Sequence, residues 1–348
     1  MDSKKLLVSK SPIVGLQYLA FPLAVLLNHK ECLPWFYSNY IQLEAPKDSL
    51  LDEWNCNVIF TGGHLLDIPC FKVHTLPKKH FCNVLCKDSS EIINNINGFL
   101  SDDWYFISHF DEYYIPNRSF YQKEHRYHDF LINGFNNIEG CYNLIGFATN
   151  EMFMETEVKY DEFVKGISSD IDPDAVFDMI FYRKRGNFRY DFDLPFVKGL
   201  LMDYLNSKDS SSKYRCNISE RANTAKVYCM EVYSYLKRFY ESCMEIEAPS
   251  DMRPIHLIWE HKNCMLLRLK YMFENNIINY NDNLYNSFKK IENMVLVLKN
   301  MSLKFFFTEN KRLLVEIINS IDKIKILDQN AIEALLEEIN KSTVSKPT

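Results

Sequence analysis

Two apolar runs separated by a short turn constrain the fold of this chain more than any other feature. The runs cover residues 128–135 (HDFLINGF) and 141–148 (CYNLIGFA), and the five residues between them, NNIEG, are rich in turn formers. Two such runs joined by a short segment containing Asn and Gly are typical of a β-hairpin. The sequence therefore predicts an antiparallel pair of strands toward the end of the first half of the chain.

The texture of the sequence changes near residue 158. Before it, short β-branched and aromatic runs are broken by turn residues and by helical segments. After it, apolar residues recur at helical spacing, and Asp193 followed by Pro195 has the form of a helix start. We therefore expect an α+β fold, with an α+β domain over residues 1–160 and a helical domain over residues 161–348.

Composition argues against several classes of protein. The formal net charge is -6 and no basic stripe offsets it, so nucleic acid is not an expected partner. The chain has only 10 Gly and neither a GxGxxG nor a Walker motif, which argues against a phosphate-cradling loop. No apolar run reaches the roughly 18 residues that cross a bilayer. The 10 dispersed cysteines are typical of a reduced, cytoplasmic protein.

Two histidines precede the first run of the predicted hairpin. Papain-like cysteine enzymes present their catalytic imidazole on a strand that is followed by a turn and an antiparallel partner, so His128 is a candidate base. Its ring could be oriented from the second strand by Asn143 or Asn150, and His125 is a candidate substrate-binding residue. Asp129 is expected on the opposite face of the strand. The alternative is a solvated hairpin edge without a catalytic role.

The segment YYIPNRSFYQKEHRYHDFLINGFNNIEGCYNLIGF resembles the histidine segment of proteins related to the N-terminal domain of butirosin biosynthesis protein H. Those proteins belong to the C39-like, papain-like superfamily. Residues 33–43 (LPWFYSNYIQL) and 251–272 (DMRPIHLIWEHKNCMLLRLKYM) are similar to stretches of bacterial relatives encoded near natural-product genes. The resemblance implies a papain-like, C39-type fold for residues 1–160. It also implies acyl transfer, in which a cysteine takes an acyl group from a carrier-protein thioester and passes it to an amine.

The sequence departs from this family at the nucleophile. In the family a cysteine opens the first helix, and counting back from LLNH places that position at Gln17, which has no nucleophilic group. Either the register is displaced or the thiol has been lost. Pro22 moves the predicted helix start to about Phe21, because proline costs about 3 kcal/mol in a helix interior. The nearest thiols, Cys32 and Cys56, are candidate nucleophiles, with a buried core thiol as the alternative for both.

A second group of polar residues lies in the predicted helical domain. His256 and Glu260 are four residues apart, so they face one another on a helix, and Arg253 lies one turn earlier. The group could line a substrate-binding pocket, or it could be a surface ion pair. The basic run RKRGNFRYDFD (183–193) could likewise contact an acidic carrier protein, or be a solvated loop.

The histidines and cysteines between residues 64 and 86 do not have the spacing of a structural zinc site. They are His64, Cys70, His74, His80, Cys82 and Cys86. We therefore predict neither a metal nor a cofactor.

Three functions remain open. The resemblance implies an acyl or aminoacyl transferase of natural-product or peptide biosynthesis. Its partners would be an acyl or peptidyl carrier protein and an amine acceptor, with His128 as base and Gln17 as a hydrogen-bond donor to the acyl oxygen. The second function is a non-catalytic protein of the same fold that binds a carrier protein or peptide. The third, a cytosolic cysteine peptidase, requires a thiol within about 4 Å of His128.

Overall fold

The computed structural model shows two compact units, and each unit is assembled from two segments of the chain. The first unit comprises Met1–Leu33 and Ile68–Tyr190, and the second comprises Pro34–Asp67 and Asp191–Thr348. The residues that the structure describes are 1–47, 58–63, 66–149, 152–215, 225–245 and 251–344. Residue 160, the domain boundary expected from the sequence, is the first residue of a helix within the first unit.

Strands and short helices dominate the first half of the chain, and long helices dominate the second. The strands are β1 (Ser3–Lys5), β2 (Leu43–Pro46), β3 (Ile59–Phe60), β4 (Phe71–Pro77), β5 (Tyr105–Asp111), β6 (Tyr127–Asn136), β7 (Cys141–Phe147), β8 (Phe153–Lys159), β9 (Asp178–Lys184) and β10 (Lys226–Tyr228). The helices are α1 (Gln17–Leu26), α2 (Leu33–Ser38), α3 (Lys78–His80), α4 (Ser89–Ser101), α5 (Tyr160–Ser168), α6 (Leu194–Leu205), α7 (Val232–Glu245), α8 (Arg253–Glu274), α9 (Asp282–Thr308) and α10 (Lys311–Val344). This mixture of helices and antiparallel sheets confirms the predicted α+β class.

The first unit is built on one antiparallel sheet with the order β4–β9–β5–β6–β7–β8, and β1 pairs with β6 off this path. The predicted hairpin is present as β6 and β7, which pair from Leu131 to Asn136 with a bulge between Ile132 and Gly134. The sequence did not predict β9, which lies between β4 and β5. Both partners of β9 precede it by many residues, so its place in the sheet depends on non-local pairing.

Helices of the first unit begin where local chemistry favours a start. Asp88 caps α4, because its carboxylate accepts hydrogen bonds from the backbone N–H groups of Ser90 and Glu91. One face of α4 is buried through Ile92 and Ile96. Each of these features follows from the local sequence, so the position of α4 was predictable.

The second unit contains a small antiparallel sheet of order β10–β2–β3 together with helices α6 to α10. Asp193 caps α6 by accepting a hydrogen bond from the N–H of Phe196 at 2.9 Å, and Pro195 lies in the first turn, as predicted. Apolar residues at helical spacing on α8 and α9 are buried, which explains their periodicity. Within the described residues, no helix combines the length and apolar character that crossing a bilayer requires.

Candidate functional site

His128 lies near the start of β6, opposite Phe110 of β5. Its Nδ1 atom is 3.0 Å from Oδ1 of Asp129, and its side chain is 36% exposed. The sequence placed Asp129 on the opposite face of the strand, yet its carboxylate contacts the imidazole. Residues 128 and 129 pair with Phe110 and His109 of β5, whereas the pairing of β6 with β7 begins at Leu131. Asp129 is therefore the residue that pairs with His128.

Gln17 lies beside this strand, as the register derived from the resemblance expects. It is the first residue of α1, is 9% exposed, and its Nε2 donates a hydrogen bond to the backbone oxygen of Asp129 at 3.4 Å. The predicted helix start near Phe21 was wrong, because α1 begins at Gln17 and contains Pro22 in its interior. Nearly every residue of this short helix is buried, and that burial offsets the proline penalty of about 3 kcal/mol.

The charges around His128 favour its protonated form. Burial of the imidazole lowers its pKa, but the hydrogen bond and charge of Asp129 and the charge of Glu112 outweigh burial and raise the pKa above the ordinary value. Glu112 is itself buried, and burial raises its pKa, although the nearby His128 and Arg118 oppose that shift. Asp129 therefore both contacts His128 and favours its protonated form.

Asn143 does not orient His128. It pairs with Gly134 in the register of β6 and β7, six residues along the strand from His128, which is roughly 20 Å. Its Nδ2 donates instead to Oε1 of Glu155 at 3.2 Å. The prediction failed because hairpin register, rather than residue type, decides which part of β6 a residue of β7 faces. The other predicted orienting residue, Asn150, lies outside the described residues.

The carboxylate that orients a histidine is Asp111, and the histidine is His125. Oδ2 of Asp111 lies 2.6 Å from Nδ1 of His125 and accepts a hydrogen bond from Oγ of Ser169 at 2.8 Å. The Asp111 side chain is fully buried, whereas that of His125 is 50% exposed and stacks on Tyr113 with ring centroids 4.3 Å apart. This pair resembles the acid–imidazole half of a catalytic triad, although the sequence offered His125 only as a substrate-binding residue.

The candidate nucleophile Cys32 is buried, and its thiol forms a hydrogen bond with the thiol of Cys70. It lies in the turn Lys30–Cys32 that precedes α2, and a hydrogen bond with Cys70 together with burial raises its pKa. Among the described residues, no cysteine is a hydrogen-bond partner of His128. Cys56, the other candidate, lies outside the part of the chain that the structure describes.

The remaining described cysteines are also poor nucleophiles. Burial raises the pKa of Cys82, Cys86, Cys141, Cys229, Cys243 and Cys264. Cys70 is the exception, because the hydrogen bond from Cys32 lowers its pKa, but Cys70 is fully buried. None of these described thiols therefore combines a lowered pKa with exposure to a substrate.

The second unit carries the predicted pair of His256 and Glu260. His256 Nε2 lies 3.0 Å from Oε1 of Glu260, as expected for residues four apart on a helix. Glu260 is fully buried, so the expectation of a surface ion pair was wrong. Arg253 pairs with Asp251, to which its Nη2 lies 2.8 Å away. His256 and Glu260 therefore contact each other on α8, whereas Arg253 at the start of this helix pairs with Asp251, which precedes it.

The basic run at residues 183–193 begins within β9 rather than in a loop. Lys184 forms an ion pair with Glu31, and the guanidinium of Arg183 lies 4.5 Å from the Trp104 ring. Both cations already have partners within the first unit, and these contacts make the basic run less suited to bind an acidic carrier protein.

The region considered for zinc has other contacts. Cys82 Sγ donates to the backbone oxygen of Ile167, and the amide of Asn95 donates to Cys86 Sγ. No group of three or more His, Cys, Asp or Glu side chains suited to a metal ion occurs among the described residues, and His64 falls outside them. The described geometry thus offers no metal centre.

The sequence analysis assigned no role to three residues around the two histidines: Asp111, Glu112 and Arg118. The signal that could have found them is antiparallel pairing, which brings the end of β5 to the start of β6, where Asp111 faces Tyr127. Arg118 follows in the connection between these strands, so all three residues cluster for the same topological reason.

Comparison of the sequence with models of protein families finds no matching model, and comparison with curated proteins finds no match. The functional argument therefore depends on the geometry of the first unit and on the resemblance of its histidine segment.

Proposed function

We propose that the first unit has a papain-like arrangement in which covalent chemistry has been lost. In this proposal the protein binds an acyl or peptidyl carrier, or the thioester-bound group that it carries, without becoming acylated. The observation that carries the proposal is the position of Gln17, which opens α1 and donates to the backbone oxygen of Asp129. In this proposal the Gln17 amide takes the place that the resemblance assigns to a thiol.

The state of His128 is suited to binding. Asp129 and Glu112 raise the pKa of this imidazole against the effect of burial, which favours its protonated form. An imidazolium donates hydrogen bonds from both ring nitrogens, so His128 is suited to hold a carbonyl or carboxylate oxygen of a ligand.

The described thiols also argue against acyl transfer and peptidase activity. A nucleophilic cysteine requires a low pKa and a neighbouring base. Cys32 and Cys70 are paired with each other in the interior. The chemistry that the resemblance implies therefore lacks a nucleophile among the described residues.

Intact-protein mass after incubation with N-acetylcysteamine thioesters of acetate and hexanoate tests the proposal. We expect no adduct on the wild-type protein, together with measurable binding of a hexanoyl-loaded acyl carrier protein by calorimetry. A stoichiometric acyl adduct on the wild-type chain would overturn the loss of covalent chemistry. Absence of both adduct and carrier binding would overturn the choice of ligand.

A gain-of-function variant tests the geometry directly. Gln17→Cys places a thiol at the start of α1, where the helix dipole favours a thiolate and His128 is close. We expect this variant to acquire one acyl group, and we expect His128→Gln in the same background to abolish the reaction. Ser89→Cys is the matched control, because Ser89 is exposed at the start of α4. Equal acylation of the two introduced thiols would remove the special role of the Gln17 position.

A further inference from the structure

Arg118 is a buried cation without a hydrogen-bond partner. Its side chain is 2% exposed, and Nε, Nη1 and Nη2 all lack an acceptor among the residues that the structure describes. A guanidinium carries five N–H donors, and leaving such donors buried and unpaired is costly. Few buried arginines tolerate this without an anion, because a buried charge requires both a counter-charge and hydrogen bonds.

Two neighbours of the Arg118 guanidinium are an aromatic ring and a glycine. The Cζ atom lies 4.9 Å from the centroid of the Phe130 ring, which contributes a cation–π contact. Gly146 lies nearby, and a Cβ atom added there would be 3.5 Å from Nη2 of Arg118 and 2.7 Å from the Phe130 ring. The absence of a side chain at Gly146 therefore leaves the guanidinium edge next to bare backbone.

Glu112 is a charged neighbour of Arg118 but does not satisfy its N–H donors. Glu112 is the one carboxylate whose charge raises the pKa of Arg118, and burial lowers that pKa to about 10, so the guanidinium remains charged at neutral pH. The same Glu112 also faces the charges of His128 and Arg126. His128 has its own carboxylate partner in Asp129, whereas Glu112, the charged neighbour of Arg118, makes no hydrogen bond to it.

We propose that Arg118 binds a carboxylate group of the ligand, as a two-pronged donor beside Phe130 and Gly146. The ligand class is a carboxylate-bearing acyl group, amino acid or peptide terminus, and this assignment deepens and rests on the proposed binding function. A planar carboxylate matches the fork of a guanidinium. A doubly charged phosphate would meet repulsion from the neighbouring Glu112, which favours the singly charged ligand. His128 is more exposed than Arg118, with 36% of its side chain accessible.

The test is titration of the wild-type protein with sodium hexanoate, sodium N-acetylglycinate, sodium phosphate and sodium chloride at matched ionic strength. The ¹⁵Nε resonance of Arg118 reports on the guanidinium directly, and thermal unfolding reports on linked stability. We expect both carboxylates to shift the resonance saturably and to raise Tm, with phosphate acting no more strongly than chloride. No saturable shift with either carboxylate, or a stronger shift with phosphate, would overturn the assignment.

Variants provide a matched comparison. Arg118→Met should abolish the carboxylate-dependent rise in Tm. Arg118→Lys keeps the charge but not the fork, and should bind carboxylates about tenfold more weakly. Arg126→Met is the control, since Arg126 is exposed and its Cζ also lies 4.9 Å from a phenylalanine ring, that of Phe120. An undiminished response in Arg118→Met would overturn the proposal.

These outcomes separate the two proposals. If the wild-type chain accepts an acyl group while carboxylates still act through Arg118, the proposed non-covalent function fails and this inference stands. If the carrier binds without any carboxylate response at Arg118, this inference alone fails.

Discussion

Nδ1 of His125 lies 2.6 Å from Oδ2 of Asp111, so a fully buried carboxylate holds a half-exposed imidazole in place. The same carboxylate accepts a hydrogen bond from Ser169, which directly follows α5, and bonds to the backbone N–H of Tyr113. Asp111 therefore ties the end of β5 to the approach of β6 and to the end of α5. We expect the loss of the Asp111 carboxylate to reduce the stability of the fold more than it reduces ligand binding.

Asp111→Ala should lower the free energy of unfolding by about 3 kcal/mol, because it leaves several partly buried donors without an acceptor. Asp111→Asn should cost less, since the amide oxygen still serves the backbone N–H groups. Ser169→Ala removes one donor and should cost about 1 kcal/mol. Urea unfolding measures all three. A cost for Asp111→Ala no greater than that for Ser169→Ala would show that the carboxylate is not a structural centre.

Asp129→Asn should lower the pKa of His128, because it removes the negative charge of Asp129 that favours the protonated imidazole, while burial continues to disfavour it. A histidine whose folded pKa is raised stabilises the fold below its unfolded pKa, and that stabilisation disappears as pH rises through the folded pKa. The variant should therefore lose more stability near pH 5 than near pH 9, relative to the wild type. Proton NMR titration and urea unfolding at both pH values measure the two effects. Glu124→Gln, at an exposed carboxylate nearby, should leave the His128 titration unchanged.

Gly146→Ala should destabilise the first unit by about 1–3 kcal/mol, because the new Cβ would lie 2.7 Å from the ring of buried Phe130. Gly98→Ala is the matched control: Gly98 lies in α4, and an added Cβ there meets no atom within 4 Å. This second change should stabilise the protein by up to about 1 kcal/mol through helix propensity. Opposite signs in thermal unfolding are expected, and two similar shifts would contradict the packing at Phe130.

Lys262→Met should cost about 3–5 kcal/mol, because it leaves the carboxylate of Asp328 buried without its counter-charge. Nζ of Lys262 on α8 lies 2.6 Å from Oδ2 of Asp328 on α10, and both side chains are almost fully buried. Tyr204 and Tyr233 donate to the same carboxylate oxygen, so the cluster joins four helices of the second unit. Chemical denaturation of the purified variant measures the loss.

The double variant Lys262→Met/Asp328→Leu separates charge pairing from packing. Replacing both charges by apolar groups removes the unpaired carboxylate, so the double variant should be more stable than Lys262→Met alone. If the destabilisation of the double variant equalled the sum of the destabilisations of Lys262→Met and Asp328→Leu measured separately, the ion pair would not be the interaction that matters at this position.

Much of the local structure was readable from neighbouring residues. The hairpin of β6 and β7, the cap of α6 at Asp193 and the contact between His256 and Glu260 all involve residues close together in the chain. Turn chemistry, capping and helical spacing act over a few residues, so each appears as a pattern in the sequence. The α+β class followed from the same patterns.

The site could be predicted only in part. Gln17 and His128 were placed together through the resemblance, and the contact of Gln17 with Asp129 agrees with that placement. Asn143 was chosen for its residue type and its strand, but hairpin register carried it away from His128. Asp111 was overlooked because its partner His125 lies beyond a connection between two strands.

The sequence by itself thus determined the hairpin, the helix starts that have caps and the long helices of the second unit, because short-range interactions specify them. Only the tertiary structure decided that α1 begins at Gln17 despite Pro22, that β9 enters the first sheet, and that Arg118 is buried without a hydrogen-bond acceptor among the described residues. Burial and strand pairing bring together residues that are far apart in the chain. Such contacts stabilise the fold without producing a periodic pattern in the local sequence.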